Sequence, residues 1–225
     1  MKKFFIIIGI IILVIFIALF IWGVYCDNTI AITNYCVNNT KNDAKLKFVV
    51  ITDLHNKEYG EKNADLAGLV KEQNPDFIAV CGDMVNRGDP DTTKMKDVLK
   101  KLADIAPTYC CLGNHERDNA AEFGTDFKSE IDSTGAVLLD DEYIKFTKNG
   151  KSVLIGGMSD YPYYEFYTPE DDVPSRTLWE EFAEKAKNNF TILLHHQPEY
   201  IAEDAKKTDI DLIAVSYTHL TLPTT

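Results

Sequence analysis

Apolar and polar positions divide the chain into three stretches. Residues 4–24 are apolar without a single charge. Wound as a helix at about 1.5 Å per residue, such a run spans roughly 30 Å, one bilayer core. The polar stretch that follows, to residue 44, is rich in Asn and Thr and reads as a tether. From residue 45 the pattern changes again: short β-branched runs alternate with segments whose apolar residues recur at helical spacing. Strands are expected at 46–52, 77–81 and 107–112. Between them, Leu66, Leu69 and Val70 mark a helix over 63–73, stopped by Asn74-Pro75. Met95, Val98, Leu99 and Leu102 mark a second helix, over 91–104. Strand, helix, strand, helix, strand implies a parallel sheet with right-handed crossovers.

Beyond residue 142 the pattern differs. Runs at 143–147 and 152–155 flank Lys148-Asn149-Gly150-Lys151, and Asn-Gly between strands is a hairpin signal. A mixed sheet, or a second and partly antiparallel one, is implied. A helix at 176–188, a strand at 190–194, a short helix at 199–206 and a strand at 210–214 complete the pattern. The aromatic segment 161–167 reads as a surface flap, with the lining of a lipid or sugar site as the other reading.

The chain has 225 residues and a formal charge of −12. That length suits one domain plus a membrane element. The acidic balance argues against a broad nucleic-acid surface, which needs Lys and Arg stripes. Lys2 and Lys3 precede the apolar run, Asp27 follows it, and the next Lys is Lys41. The positive-inside bias then places the N-terminus in the cytoplasm and the remainder outside. A cleaved signal peptide fits less well, because the run is long and no A-x-A pattern precedes Cys26. The expected division is a cytoplasmic tip at 1–3, a transmembrane anchor at 4–25, a tether at 26–44 and a folded domain at 45–214. Of five cysteines, Cys81, Cys110 and Cys111 fall in strands as small core residues, while Cys26 and Cys36 could pair.

Candidate chemistry sits where the strands end. Asp53-Leu54-His55, Gly82-Asp83, Gly113-Asn114-His115-Glu116 and His195-His196-Gln197-Pro198 each follow a strand. Ligands of open α/β sheets bind at the carboxyl ends of strands, so these side chains can converge on one cleft. Carboxylate, imidazole and amide oxygen together suit divalent metals such as Mn, Fe or Zn. Two such ions a few Å apart make a phosphoester-cleaving centre. Taken singly, each residue has a plainer reading. Asp53 and Asp83 could be N-caps, His55 and His115 loop histidines, and Asn114 a turn former. Order and strand-end context together favour the metal reading.

Over residues 45–214 these blocks resemble the calcineurin-like metallophosphoesterases, which carry D-x-H, G-D, G-N-H-[DE], a lone His and then G-H-x-H. The anchor followed by this domain is most similar to the membrane-bound bacterial members. The resemblance implies an α/β fold: a β-sandwich of mixed and parallel sheets flanked by helices, after an N-terminal transmembrane helix. It implies two divalent metal ions. Asp53 and His55 would hold the first and Asp83 would bridge both. Asn114 and His196 would hold the second, with Asn114 also orienting phosphate. His115 would lie beside the scissile phosphate, stabilising charge or protonating the leaving oxygen. The metals would activate a bridging hydroxide for in-line attack. Glu116 would orient His115, Gly82 and Gly113 would allow close backbone approach, and His195 would pack behind His196.

The last family block is absent. Residues 215–225 resemble the in-frame translation of a transposon-type sequencing adapter, so His219 is not taken as a ligand. The expectation is a C-terminally truncated domain lacking its closing strands and weakly active as written. The function expected is a membrane-anchored, metal-dependent hydrolase of phosphoester or pyrophosphate bonds. Its expected partners are a phosphorylated lipid or envelope precursor and the membrane, with no nucleic acid. The alternative is a non-catalytic binding or scaffold domain that retains the fold.

Overall fold

The side chains that alternate along each strand decide where the core sits. The computed structural model describes residues 2–38, 41, 45–158, 174–198 and 201–216. It divides into two compact units, Met1–Val37 and Asn38–Thr225. The first is dominated by α1 (Lys2–Asp27), a 26-residue helix. Its side chains are exposed all round, and it is long and apolar enough to cross a membrane. A helix apolar on every face finds no solvent match in water, which is the composition of a bilayer span.

The second unit holds two four-stranded sheets. The first runs β1 (Phe48–Ile51), β2 (Phe77–Cys81), β3 (Thr108–Cys111) and β4 (Val137–Leu138), all parallel. The second runs β5 (Glu142–Lys148), β6 (Lys151–Gly157), β7 (Thr191–Leu194) and β8 (Leu212–Ala214). Only its β5–β6 pair is antiparallel. Asn149 and Gly150 join that pair with φ of 51° and 76°. Two left-handed residues match the strand twist, as a type I′ hairpin requires.

The sheets pack face to face. Phe77, Ala79 and Cys81 from β2 meet Val153 and Ile155 from β6 and Ile192 and Leu194 from β7 in one buried cluster. The Phe77 ring stacks on Phe48 at 4.7 Å and tilts against Phe146 of the other sheet at 5.2 Å. The intervening residues of β6 and β7, Leu154 and Leu193, point outwards into a second cluster. There they meet Leu178 and Phe182 of α6 (Pro174–Ala186). β2 is buried at all five positions, as expected of a central parallel strand covered on both faces. The α/β sandwich that the resemblance implies, with the second, partly antiparallel sheet that the pattern implies, is therefore the fold observed.

Helices α2 (Ala64–Glu72) and α3 (Thr93–Ala103) lie where the apolar spacing places them, and Met95, Val98, Leu99 and Leu102 are buried. α2 begins after Asn63, because Lys62 and Asn63 take left-handed φ of 51° and 62°. Three elements have no counterpart in the sequence expectation: α4 (Asn114–Phe123), α5 (Phe127–Asp132) and β4. α7 (Ala202–Ala205) is a single turn. The polar stretch before the domain is also held at one point. Lys41 Nζ donates to the carbonyls of Ala186 and Asp209, each at 2.6 Å, and to Asp211 Oδ2 at 2.9 Å. An ammonium on the last carbonyl of α6 satisfies a group the helix itself cannot.

Candidate metal centre

The first two sequence blocks meet because the β1–β2 ladder continues past the strand ends. The Asp53 N–H donates to Gly82 O at 3.1 Å, His55 N–H to Asp83 O at 3.0 Å and Asn56 N–H to Met84 O at 3.0 Å. To follow that path, Asp53, His55, Asn56 and Asp83 all adopt left-handed φ, between 48° and 56°. Such conformations cost about 1–3 kcal/mol each and persist only where the surroundings over-determine them. Two glycines let the loops touch. A Cβ on Gly82 would lie 2.4 Å from Gly113 N, and one on Gly113 would lie 2.2 Å from Asp83 Oδ1.

Asp83 is the hub, 4% exposed. Its Oδ1 accepts the His115 N–H at 2.9 Å, in the first turn of α4. A helix N-terminus is a favourable place for a carboxylate. Its Oδ2 lies 3.3 Å from His196 Nε2, 3.7 Å from His115 Nε2 and 3.9 Å from His55 Nε2. Burial works to raise the Asp83 carboxyl. Hydrogen bonding from His196 and the His115 N–H, with the nearby imidazole charges, outweighs it, and the net direction is down. An ionised carboxylate ringed by imidazole nitrogens is a cation site.

The donor atoms sort into two groups that share Asp83, each within 4.8 Å: His55, Asp83 and His115, and Asp53, Asp83 and His196. The partition expected from the resemblance placed Asp53 with His55. Here Asp53 falls with His196, although His55 Nε2 is also only 3.6 Å from Asp53 Oδ1. The donor set fits divalent metals by its chemistry: two carboxylates and three imidazoles, with Asp83 and His196 buried and the other three partly exposed. His196 supplies a further sign. Its Nδ1 lies 2.8 Å from Cys81 O, a contact that turns Nε2 towards Asp83.

Around this core each remaining candidate has a definite place. Asp53 Oδ2 accepts from the Thr52 hydroxyl at 2.9 Å and from Ser216 Oγ. Asn114, the first residue of α4, accepts from Gln197 Nε2 at 3.3 Å, which ties it to the segment that carries His196. His195 is buried, its Nδ1 3.2 Å from Met158 O. The His55 and His115 rings lie 4.7 Å apart. The aromatic segment 161–167 and residues 217–225 lie outside the described residues.

Glu116 does not do what the sequence reading expected. Its carboxylate holds backbone in place of the His115 ring. Oε2 accepts the N–H of Asp83 at 2.8 Å and of Gly113 at 2.9 Å, and Oε1 accepts those of Met84 at 2.7 Å and Val85 at 3.2 Å. The Gly113 bond is half of a capping box, an N3 glutamate reaching back to the N-cap. Burial and then the Asp83 charge push the Glu116 carboxyl up, against the pull of those N–H groups. Sequence reasoning missed Asn119 altogether. It is fully buried one turn further along α4, its amide spent on the loop after β2. The signal was present as an i, i+3 pair with Glu116, but only once α4 is known to be a helix.

A family model described as calcineurin-like phosphoesterase matches residues 46–219. The protein named metallophosphoesterase YkoQ, from Bacillus subtilis (strain 168), is 24% identical over 177 residues, 78% of this chain and 61% of its own length. Phosphodiesterase YaeI of Escherichia coli (strain K12) is 32% identical over 119 residues, 51% of this chain and 44% of its own. The chain thus spans less than two thirds of either relative. Among solved structures, TT1561 of Thermus thermophilus superimposes with a TM-score of 0.54 at 13% identity, covering 76% of this chain and 81% of that one. At that identity the likeness is one of fold.

Proposed function

Because the chain belongs to the calcineurin-like phosphoesterase family, we propose that it is a metal-dependent phosphoesterase anchored to a membrane by α1, with its N-terminus cytoplasmic and its domain outside. The observation that supports this most strongly is the sharing of Asp83 between two groups of metal-competent donors. Asp53, His55, Asp83, Asn114 and His196 would hold two divalent cations such as Mn, Fe or Zn. When bound, these supply Lewis-acid activation of hydroxide and charge neutralisation at phosphorus. The chain's own groups do the rest. His115 donates a hydrogen bond or a proton to the phosphate or leaving oxygen. Asn114 orients the phosphate through its amide. Thr52 fixes the Asp53 carboxylate, while Gly82 and Gly113 let the loops close round Asp83.

The substrate class is a phosphoester or pyrophosphate. An anchored site favours a phosphorylated lipid or an envelope precursor. A charge of −12 disfavours nucleic acid.

The test uses the full chain in detergent micelles, stripped by chelation and reloaded with Mn, Fe or Zn. Weak hydrolysis of bis-p-nitrophenyl phosphate should return with metal and be lost in Asp83→Asn. A folded wild type that binds metal and hydrolyses neither this diester nor p-nitrophenyl phosphate would instead support the non-catalytic binding domain.

A further inference from the structure

Lys41 belongs to a stretch that the sequence presents as a solvated tether, yet its side chain is only 22% exposed. An ammonium carries three N–H donors. Here they meet three acceptors from two segments far along the chain. These are the carbonyl of Ala186, the last residue of α6, the carbonyl of Asp209, and the Asp211 carboxylate just before β8. No step of the proposed hydrolysis uses this cluster.

Asp211 is itself fixed in place. Its Oδ2 also accepts the Thr191 N–H at 2.9 Å and the Thr191 hydroxyl at 3.0 Å, and its own N–H donates to that hydroxyl at 3.2 Å. Thr191 opens β7 and is fully buried, and the Asp211 side chain is 14% exposed. A carboxylate withdrawn from water this far is costly without a cation beside it. Lys41 supplies that cation at 2.9 Å. One exposed contact of a lysine gains little. Three acceptors converging on one Nζ make a seat.

Where the seat lies matters more than its strength. The next element after Lys41 is β1, an edge strand of the first sheet, and β1 delivers Asp53 and His55 to the candidate centre. The Lys47 N–H donates to Asp76 Oδ2 at 2.9 Å and the Asp76 N–H to Lys47 O at 2.7 Å, which holds the start of β1 to its own sheet. Lys41 instead reaches the second sheet, at the end of β7 opposite His195 and His196. Edge strands and chain ends open first when nothing fastens them.

We propose that Lys41 is a clamp: it fastens the tether to the second sheet, so that fraying of the chain that leads from α1 stops at α6 and β8 and does not reach β1. The benefit to an anchored enzyme rests on the reading of α1 as a membrane span. The clamp is a property of the domain alone.

Two readouts separate these. The first is acetylation of the full chain in detergent with acetic anhydride, followed by mass spectrometry. An amine must leave its acceptors to react. Lys41 should therefore react at least about tenfold more slowly than Lys62, whose side chain is 62% exposed, since one charged hydrogen bond is worth about that factor. Asp211→Asn keeps the shape and removes the charge. It should bring the Lys41 rate up towards that of Lys62 and leave Lys62 unchanged. The second readout is hydrogen exchange of the full chain in nanodiscs of phosphatidylcholine and phosphatidylglycerol. Lys41→Met keeps the stem and removes the ammonium. Residues 48–51 of β1 should then exchange severalfold faster than in wild type, with 108–111 of β3 unchanged.

A wild-type Lys41 acetylated as fast as Lys62 would overturn the proposal, and that measurement needs no variant. So would a folded Asp211→Asn in which Lys41 stays protected, or a Lys41→Met in which β1 exchanges no faster. Equal acceleration in β1 and β3 would mark a general loss of stability and overturn it too. A full chain that does not enter nanodiscs would defeat the membrane reading, and the same exchange comparison in detergent would then decide the clamp.

Discussion

Glu116→Gln tests how the site is held together. One carboxylate receives four backbone N–H groups, two on each oxygen, at 2.7–3.2 Å. Glutamine has the same shape but replaces one oxygen with an NH2. Whichever way the amide turns, two N–H donors then face a donor. Each buried donor left unsatisfied costs about 1–3 kcal/mol, or roughly 2–6 kcal/mol for two. Removing the charge also relieves the burial and the Asp83 repulsion that push this carboxyl up, so the net loss belongs in the lower half of that range. A domain of this size shifts its Tm by about 2–4 °C per kcal/mol, so a net ~2–4 kcal/mol predicts a fall of roughly 4–16 °C. Because Asp83 and its loop hang from this carboxylate, metal affinity should also fall, by about 10–100-fold as for other partners that orient ligands. Circular-dichroism melts and titration calorimetry on the full chain in detergent measure both. A variant that melts within about 2 °C of wild type and binds metal equally well would refute the reasoning, since four N–H groups cannot lose half their acceptors at no cost.

Gly113→Ala should fold yet lose metal affinity by at least about tenfold. The new Cβ would lie 2.2 Å from Asp83 Oδ1 and must displace that carboxylate. Calorimetry showing unchanged affinity would contradict the close approach. Thiol labelling should separate the cysteines. Cys36 is exposed and should alkylate quickly, whereas Cys81, Cys110 and Cys111 are buried. Burial above all pushes the Cys110 thiol far up, so it carries almost no reactive thiolate. Mass spectrometry after a brief pulse of iodoacetamide should find these three unmodified until denaturant is added, and equal rates at Cys81 and Cys111 would mean the inter-sheet core is open.

What the sequence made legible follows from what its patterns measure. Buried parallel strands are continuous apolar runs, so β2 and β7 could be placed almost to the residue. Because strand ends gather at one sheet edge, the convergence of Asp53, Asp83, His115 and His196 could be anticipated without any distances. The Asn149-Gly150 hairpin was legible because only a few residue pairs tolerate two left-handed positions. Lys41 was not. A lysine in a polar stretch looks the same whether solvated or seated on Ala186 O, and only the fold brings that carbonyl near.

Helix α4 shows where pattern reading ends. Its sequence, N-H-E-R-D-N-A-A-E-F, has no apolar stripe, and the residues it buries are Glu116 and Asn119. The periodic signal of a helix assumes an apolar face turned to a core. α4 turns its buried face to a loop, and a loop offers backbone N–H and C=O groups that only polar side chains can satisfy. The same polarity makes this the functional helix. Three ligand-bearing positions, Asp53, His55 and Asp83, sit in left-handed conformations that cost energy, and something must hold them there. Glu116 and Asn119 together engage the backbone of Asp83, Met84, Val85, Asn86, Gly88 and Asp89. Buried hydrogen bonds of that density can offset several kcal/mol of strain. An apolar α4 would have been visible in the sequence, but it could not have shaped the loop on which the candidate metal centre depends.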